Sequence, residues 1–393
     1  MRRIKRLLLL ALSLLLALPS GACMQPLTVD DFIYVLDIGV EYGKTMPYLV
    51  TFLVTMPKGG SSEGGSTTCE VVSAEARSLF EASETLNSAL PYRLNFSRVT
   101  LLMVQEDLAK DGAISTFFDF SFGKLNIWPS VRVVVARDPI AELFSGLISE
   151  SDPSLSKQKT SVGYLESRSG VIADASFSRM DEGFTQKTCD VMAPYCGVTE
   201  QALEADLVGD GAYPYVGGSL LVDSVQSVSV CGCAVFDGAR MVGVLDGQHT
   251  MLVLMVTDAF KRGRLQLETP QGVALTVVLV RSVKPAVSFD RTQSSVEIYL
   301  EAELEQPTVL YEMNSEELKA FLETELESSL SRVFLALQAN NCDAMGFGRY
   351  AMMTFRRAAD WAAYDWKADY RSMAVTFHVS CKLLHNPQNI GLE

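Results

Sequence analysis

Residues 99–136 read VTLLMVQEDLAKDGAISTFFDFSFGKLNIWPSVRVVVA, and the alternation within this stretch sets the fold class. Val99 to Val104 is almost wholly apolar, which suits a strand buried on both faces. Glu106 to Phe122 is spaced as a helix, with Gly112 breaking it near its first turns. Val131 to Ala136 is a second buried strand. Asp138-Pro139 then predicts another helix, because proline is favoured at a first helical position. Strand, helix, strand, helix is the pattern of an α/β or α+β protein.

The flanks extend the pattern. Phe32, Tyr34 and Leu36 alternate with Ile33, Val35 and Asp37, predicting a strand. Gly39 to Lys44 reads as a turn region, Tyr48 to Met56 as a second strand, and GGSSEGGS at 59–66 as a loop. A short strand over Cys69 to Val72 and a helix from Ser73 to Leu90 follow. Residues 148–217 are rich in Ser, Gly, Asp and Glu and predict only small helices, at 182–193 and 199–207. From 219 onward the signal turns to strand. Ser227–Phe236 and Arg240–Leu245 flank Asp237-Gly238, a hairpin signal. Further strands are expected at 250–256, 264–268, 273–287 and 295–304.

The C-terminal part predicts a long helix, Ser315 to Ala339. Leu318, Phe321, Leu322, Leu326, Leu330, Val333, Phe334 and Leu337 form its apolar stripe, and Asn314 is its N-cap. A helix over Arg349 to Asp360 and a closing strand over Met373 to Leu384 complete the reading. That strand places Ala374, Thr376, His378 and Ser380 on one face. The expected class is α+β (mixed α/β), in two to three domains, each a mixed sheet packed with helices. Residues 1–22 form a leader, 23–217 an N-terminal α/β domain with a weakly patterned tail from about 148, and 218–393 a β-rich α+β domain open to subdivision.

Composition narrows the function. The chain has 393 residues, 48% hydrophobic and 20% charged, so a large core is available. Lysine and arginine total 33 against 47 acids, a formal charge of -14. That balance argues against nucleic acid as a partner, since phosphate binding needs a basic footprint. With only His249, His378 and His385, a histidine-rich metal centre is nearly excluded.

Arg2, Arg3, Lys5 and Arg6, then the apolar run Leu7–Leu18, then Pro19-Ser20-Gly21-Ala22 follow the order of a secretory signal. Cys23 is either incidental to that signal or its modified residue. Ser20-Gly21-Ala22-Cys23 resembles the lipobox of bacterial lipoproteins, in which the cysteine receives a diacylglycerol. Losing four bases and no acids with the leader takes the formal charge from -14 to -18. Seven cysteines then remain. Most read as small buried residues, and a Cys189–Cys196 bridge is sterically open.

Enzyme motifs fail on context. Gly60-Ser61-Ser62-Glu63-Gly64 fits G-x-S-x-G, but no helix follows it as a nucleophile elbow requires. No P-loop, dinucleotide fingerprint or HExxH is present, so no catalytic residue, metal or cofactor is expected.

Three blocks carry a resemblance. Residues 77–137 hold RSLFEA, RLNF, an apolar strand, EDLAKDG and a second strand; 232–245 read GCAVFDGARMVGVL; and Asp343-Ala344-Met345-Gly346-Phe347-Gly348 precedes Trp361 and Trp366. In this order they are similar to the Ger(x)C lipoproteins, the C subunits of nutrient germinant receptors. The resemblance implies a non-enzymatic lipoprotein lipidated at Cys23 and held at the outer face of the cytoplasmic membrane, the spore inner membrane. Its partners would be the A and B membrane subunits of the receptor. Asp343, Gly346, Gly348, Trp361 and Trp366 would be structural or partner-contact residues. The alternative reading is a solute-binding lipoprotein of a transporter.

Overall fold

The computed structural model describes residues 31–57, 67–117, 121–147, 169–199, 207–208, 216–220, 228–305 and 313–384. Cys23, the 59–66 loop with Ser61, most of the helix expected at 199–207, and His385 lie outside these residues.

The stretch around residues 99–136 forms the centre of a nine-stranded mixed sheet. Its strands are β1 (Phe32–Tyr42), β2 (Tyr48–Pro57), β3 (Thr67–Ala76), β4 (Arg93–Asn95), β5 (Leu101–Gln105), β6 (Arg132–Ala136), β7 (Met192–Val198), β8 (Val228–Asp237) and β9 (Arg240–Leu245). The order is β3-β2-β1-β5-β6-β7-β8-β9, with β4 also on β1. β1, β5, β6 and β7 run parallel, and antiparallel hairpins extend both sides. The Asp237-Gly238 hairpin is formed as the dipeptide predicts, with Gly238 at φ 60°. The sheet thus takes strands from both sides of residue 217.

β1 contains one departure from simple alternation. Its register against β2 slips between Val35 and Asp37. A bulge there lets Ile33 and Val35, and then Ile38 and Val40, all enter the same core. The helix α1 (Leu79–Ala89) covers that face with Leu79, Ala82 and Leu86. The opposite face is covered by a helix that begins directly after Pro139, given below as α5.

Several elements differ from expectation. β3 runs on to Ala76, because Thr67–Ala76 pairs with β2 along its whole length. The helix therefore starts later, where the Ser78 side chain accepts the Glu81 N–H. The expected helix over 106–122 is three short pieces, α2 (Glu106–Lys110), α3 (Ile114–Phe117) and α4 (Ser121–Lys124). Gly112, at φ 76°, separates the first two. α5 (Ile140–Leu147) packs so closely on β1 that a Cβ on Gly39 would lie 2.1 Å from Ile140 Cγ2. In place of a helix over 182–193, α6 (Phe177–Gln186) ends at Lys187 in the left-handed conformation, and strand β7 follows.

The second sheet has five strands, β10 (Arg262–Glu268), β11 (Ala274–Arg281), β12 (Ala286–Ser288), β13 (Gln293–Leu304) and β14 (Ala374–Leu384). The single strand expected at 273–287 is β11 plus β12. β13 and β14 pair in parallel over eleven positions. Along β14, Ala374, Thr376, His378 and Ser380 face out while Phe377, Val379 and Cys381 are buried. The run Met251–Val256 is not a strand. It lies in helix α7 (Gly247–Val256), capped by Asp246, whose side chain accepts the His249 N–H at 2.7 Å. A six-residue apolar run fits a buried helix as well as a strand. α7 is apolar all round because every side of its second half is buried.

α8 (Ser315–Ala339) follows its prediction, with a full capping box between Asn314 and Glu317. Its stripe packs into one core with α7, the second sheet and residues of β8 and β9. The helix expected over 349–360 is instead α9 (Phe347–Met353) and α10 (Ala358–Ala362); a last helix, α11 (Trp366–Tyr370), precedes β14.

A buried carboxylate junction as candidate site

Asp343 lies just beyond α8 and is 1% exposed. Its carboxylate accepts N–H groups from Phe347 (2.9 Å) and Gly348 (2.7 Å), and the Trp366 indole N–H (3.0 Å). Desolvation by burial pushes its pKa up to about 7, aided by the neighbouring Asp190 and opposed by those three hydrogen bonds.

The two glycines make this approach physically available. Gly346 sits at φ 77°, a left-handed conformation that starts α9. A Cβ on Gly348 would lie 2.7 Å from both Thr188 O and Trp366 Nε1. Asp343, Gly346, Gly348 and Trp366 are thus brought together. Trp361 is not among them. It packs half-exposed against Phe355 and Tyr364, and Arg291 lies over both of those rings.

Asp190 and Lys367 complete the junction without a sequence signal of their own, with Asn341 and Tyr370 beside them. Asp190, between α6 and β7, accepts the Asp343 N–H (2.5 Å) and the Gly238 N–H (3.0 Å). Its own N–H returns a bond to Asp343 O (3.1 Å). Lys367 Nζ donates to Asp190, to Asp237 (2.9 Å) and to Asn341 O (2.5 Å). Burial raises the Asp190 pKa against the pull of Lys367. Burial also opposes the charge on Lys367, but Asp190 and Asp237 outweigh it and its pKa rises. We read the pair as ionised, since every polar end has a partner. Asn341 Nδ2 donates to Asp237 at 2.9 Å, and Tyr370 OH donates to Cys342 O at 2.7 Å. The β8–β9 turn of the first sheet is thereby tied to the helices that lead into β14.

Cys189 and Cys196 are separate free thiols, so the sterically open bridge is not formed. Cys196 is buried against α5, while Cys189 lies beside Gly346. Burial pushes both thiols up to about 12, which keeps them protonated and poorly nucleophilic at neutral pH. Among the described residues no group of three or more His, Cys, Asp or Glu is placed to hold a metal, and no helix is long and apolar enough to cross a membrane.

A mixed sheet with its own helical cores, joined through its last hairpin to the core of a second sheet and to a buried carboxylate junction, defines a two-sheet α+β protein. The chain belongs to the Ger(x)C family of spore germination proteins: residues 27–198 match the spore germination protein N-terminal domain, and residues 231–386 match the spore germination B3/GerAC-like C-terminal domain. Its fold is similar to that in a crystal structure of the GerBC protein. The TM-score is 0.50 at 12% identity, over 88% of this chain and 97% of that one. No curated protein matches the chain.

Proposed function

We propose that this chain is a membrane-anchored lipoprotein subunit of a spore germinant receptor, acting through contacts with the receptor's A and B membrane subunits and not by catalysis. The observation that carries this is the pair of family matches, 27–198 and 231–386, which fall in order on one chain. Lipid on Cys23 supplies the anchor, at the outer face of the cytoplasmic membrane that becomes the spore inner membrane.

Asp343, Gly346, Gly348 and Trp366 take structural roles, because each is consumed by contacts inside the junction. Trp361, half-exposed, is the member of the set left able to meet a partner.

Deletion of the gene tests the reading. Spores lacking it are expected to lose nutrient-triggered germination, and a copy carrying Cys23→Ala is expected to restore it poorly. Normal germination with failed uptake of one solute would instead support the transporter lipoprotein.

A further inference from the structure

We propose that the end of the first sheet from which the chain leaves toward Cys23 faces the bilayer, with Trp128 seated among the headgroups. This rests on the lipid-anchor reading above.

Strand direction identifies that end. β1, β4, β5 and β6 are mutually parallel, so their first residues, Phe32, Arg93, Leu101 and Arg132, point the same way. Seven residues separate Cys23 from Asp31. Even fully extended, that connection spans at most about 29 Å. The start of β1 is therefore held close to the membrane. Leu101 and Arg132 are level with Asp37, about 17 Å behind Phe32 along the strand. Trp128 precedes Arg132 by four residues and recovers part of that distance. A modest tilt of the sheet brings Phe32 and Trp128 to one plane within reach of the tether.

Trp128 suits that plane. It is 63% exposed, the most exposed aromatic side chain among the described residues. The turn that carries it is fixed by two hydrogen bonds, Val131 N–H to Trp128 O (3.0 Å) and Ser178 N–H to the neighbouring Pro129 O (3.1 Å). An open hollow of about 510 Å³ borders the ring on the side of Arg132 and Asp174. An indole held out on a fixed turn is what the headgroup layer accepts, with its apolar body buried and its N–H wet.

The charge agrees. The chain as a whole is at -14, yet the segments 31–34, 91–99, 126–132 and 174–179 carry Arg93, Arg98, Arg132 and Arg179 against only Asp31 and Asp174. Arg179 is paired with Asp174 at 3.3 Å, and Arg98 lies over the Tyr34 ring at 4.3 Å. This end is locally cationic on an acidic body, which matches it to anionic lipid.

The test uses the full lipidated protein on vesicles of phosphatidylcholine and phosphatidylglycerol with brominated acyl chains, which quench nearby indoles. Tryptophan emission is expected to fall on brominated vesicles, and Trp128→Phe is expected to remove most of that fall. Arg93→Glu with Arg98→Glu is expected to weaken it. Flotation with the vesicles but equal quenching in wild type and Trp128→Phe overturns the proposal, because the quenched ring is then not Trp128 and another part of the protein meets the lipid. Flotation without quenching also overturns it and leaves the anchor standing. Failure to float, with an unmodified Cys23 by intact mass, overturns the anchor reading and this proposal together.

Discussion

Asp343 has an ordinary carboxyl pKa of 3.8 when unfolded and about 7 in place. The folded chain therefore keeps a proton that the unfolded chain releases between about pH 4 and 7. The stability from that proton is full at low pH and is lost as pH rises toward and past 7. At 1.36 kcal/mol per unit the span is on the order of 4 kcal/mol. Asp190, also raised, acts in the same sense. We expect urea midpoints to fall from pH 5 to pH 8, and Asp343→Asn to flatten that slope; an equally steep variant would show that the proton resides elsewhere. Gly348→Ala forces a Cβ against the Thr188 carbonyl and the Trp366 ring. Overpacking of this kind costs about 1–3 kcal/mol, readable as a lower thermal midpoint. The residues around Asp343 stood out in sequence only through a family resemblance, and the donors the structure gives Asp343 lie within 23 residues of it. Asp190 was not, because its partner Asp343 is 153 residues away and no local pattern links them.

At the scale of elements, α8 offers the sharpest check. Asn314→Ala removes a cap that receives both the Glu316 and Glu317 N–H groups. The expected loss is about 1 kcal/mol, with an unchanged denaturant slope. Leu330→Ala, fully buried in the shared core, should cost about 2–5 kcal/mol. This helix could be read in sequence to its terminal residues, since stripe, cap and length agreed. β13 and β14 were legible for the same reason, through alternation. Other elements were decided by partners far along the chain. Ser73–Ala76 carries residues that suit a helix, but pairing with Tyr48–Thr51 holds it in strand. Met251–Val256 is helical because three layers enclose it, a fact no six-residue window contains. The bulge in β1 was equally hidden, since it matters only once a core chooses a side.

Across the whole molecule, Lys367 is the tie between the hairpin of the first sheet and the helices before β14. Lys367→Met leaves Asp190 buried without its cation, a loss of about 3–5 kcal/mol. Amide exchange at Gly238, whose N–H is held by Asp190, should speed up in this variant. Pairing it with Asp190→Asn should recover part of the loss; a strictly additive double variant would show that the two residues act independently. The tie also has a consequence in time. Asp190 leaves the ribosome 177 residues before Lys367. At about 5–20 residues per second the carboxylate waits roughly 9–35 seconds for its cation. β13 is likewise made well before β14, its parallel neighbour. Until the last helices emerge, the newborn chain has an unfinished seam, and any factor that escorts it must shield that seam for the length of the wait.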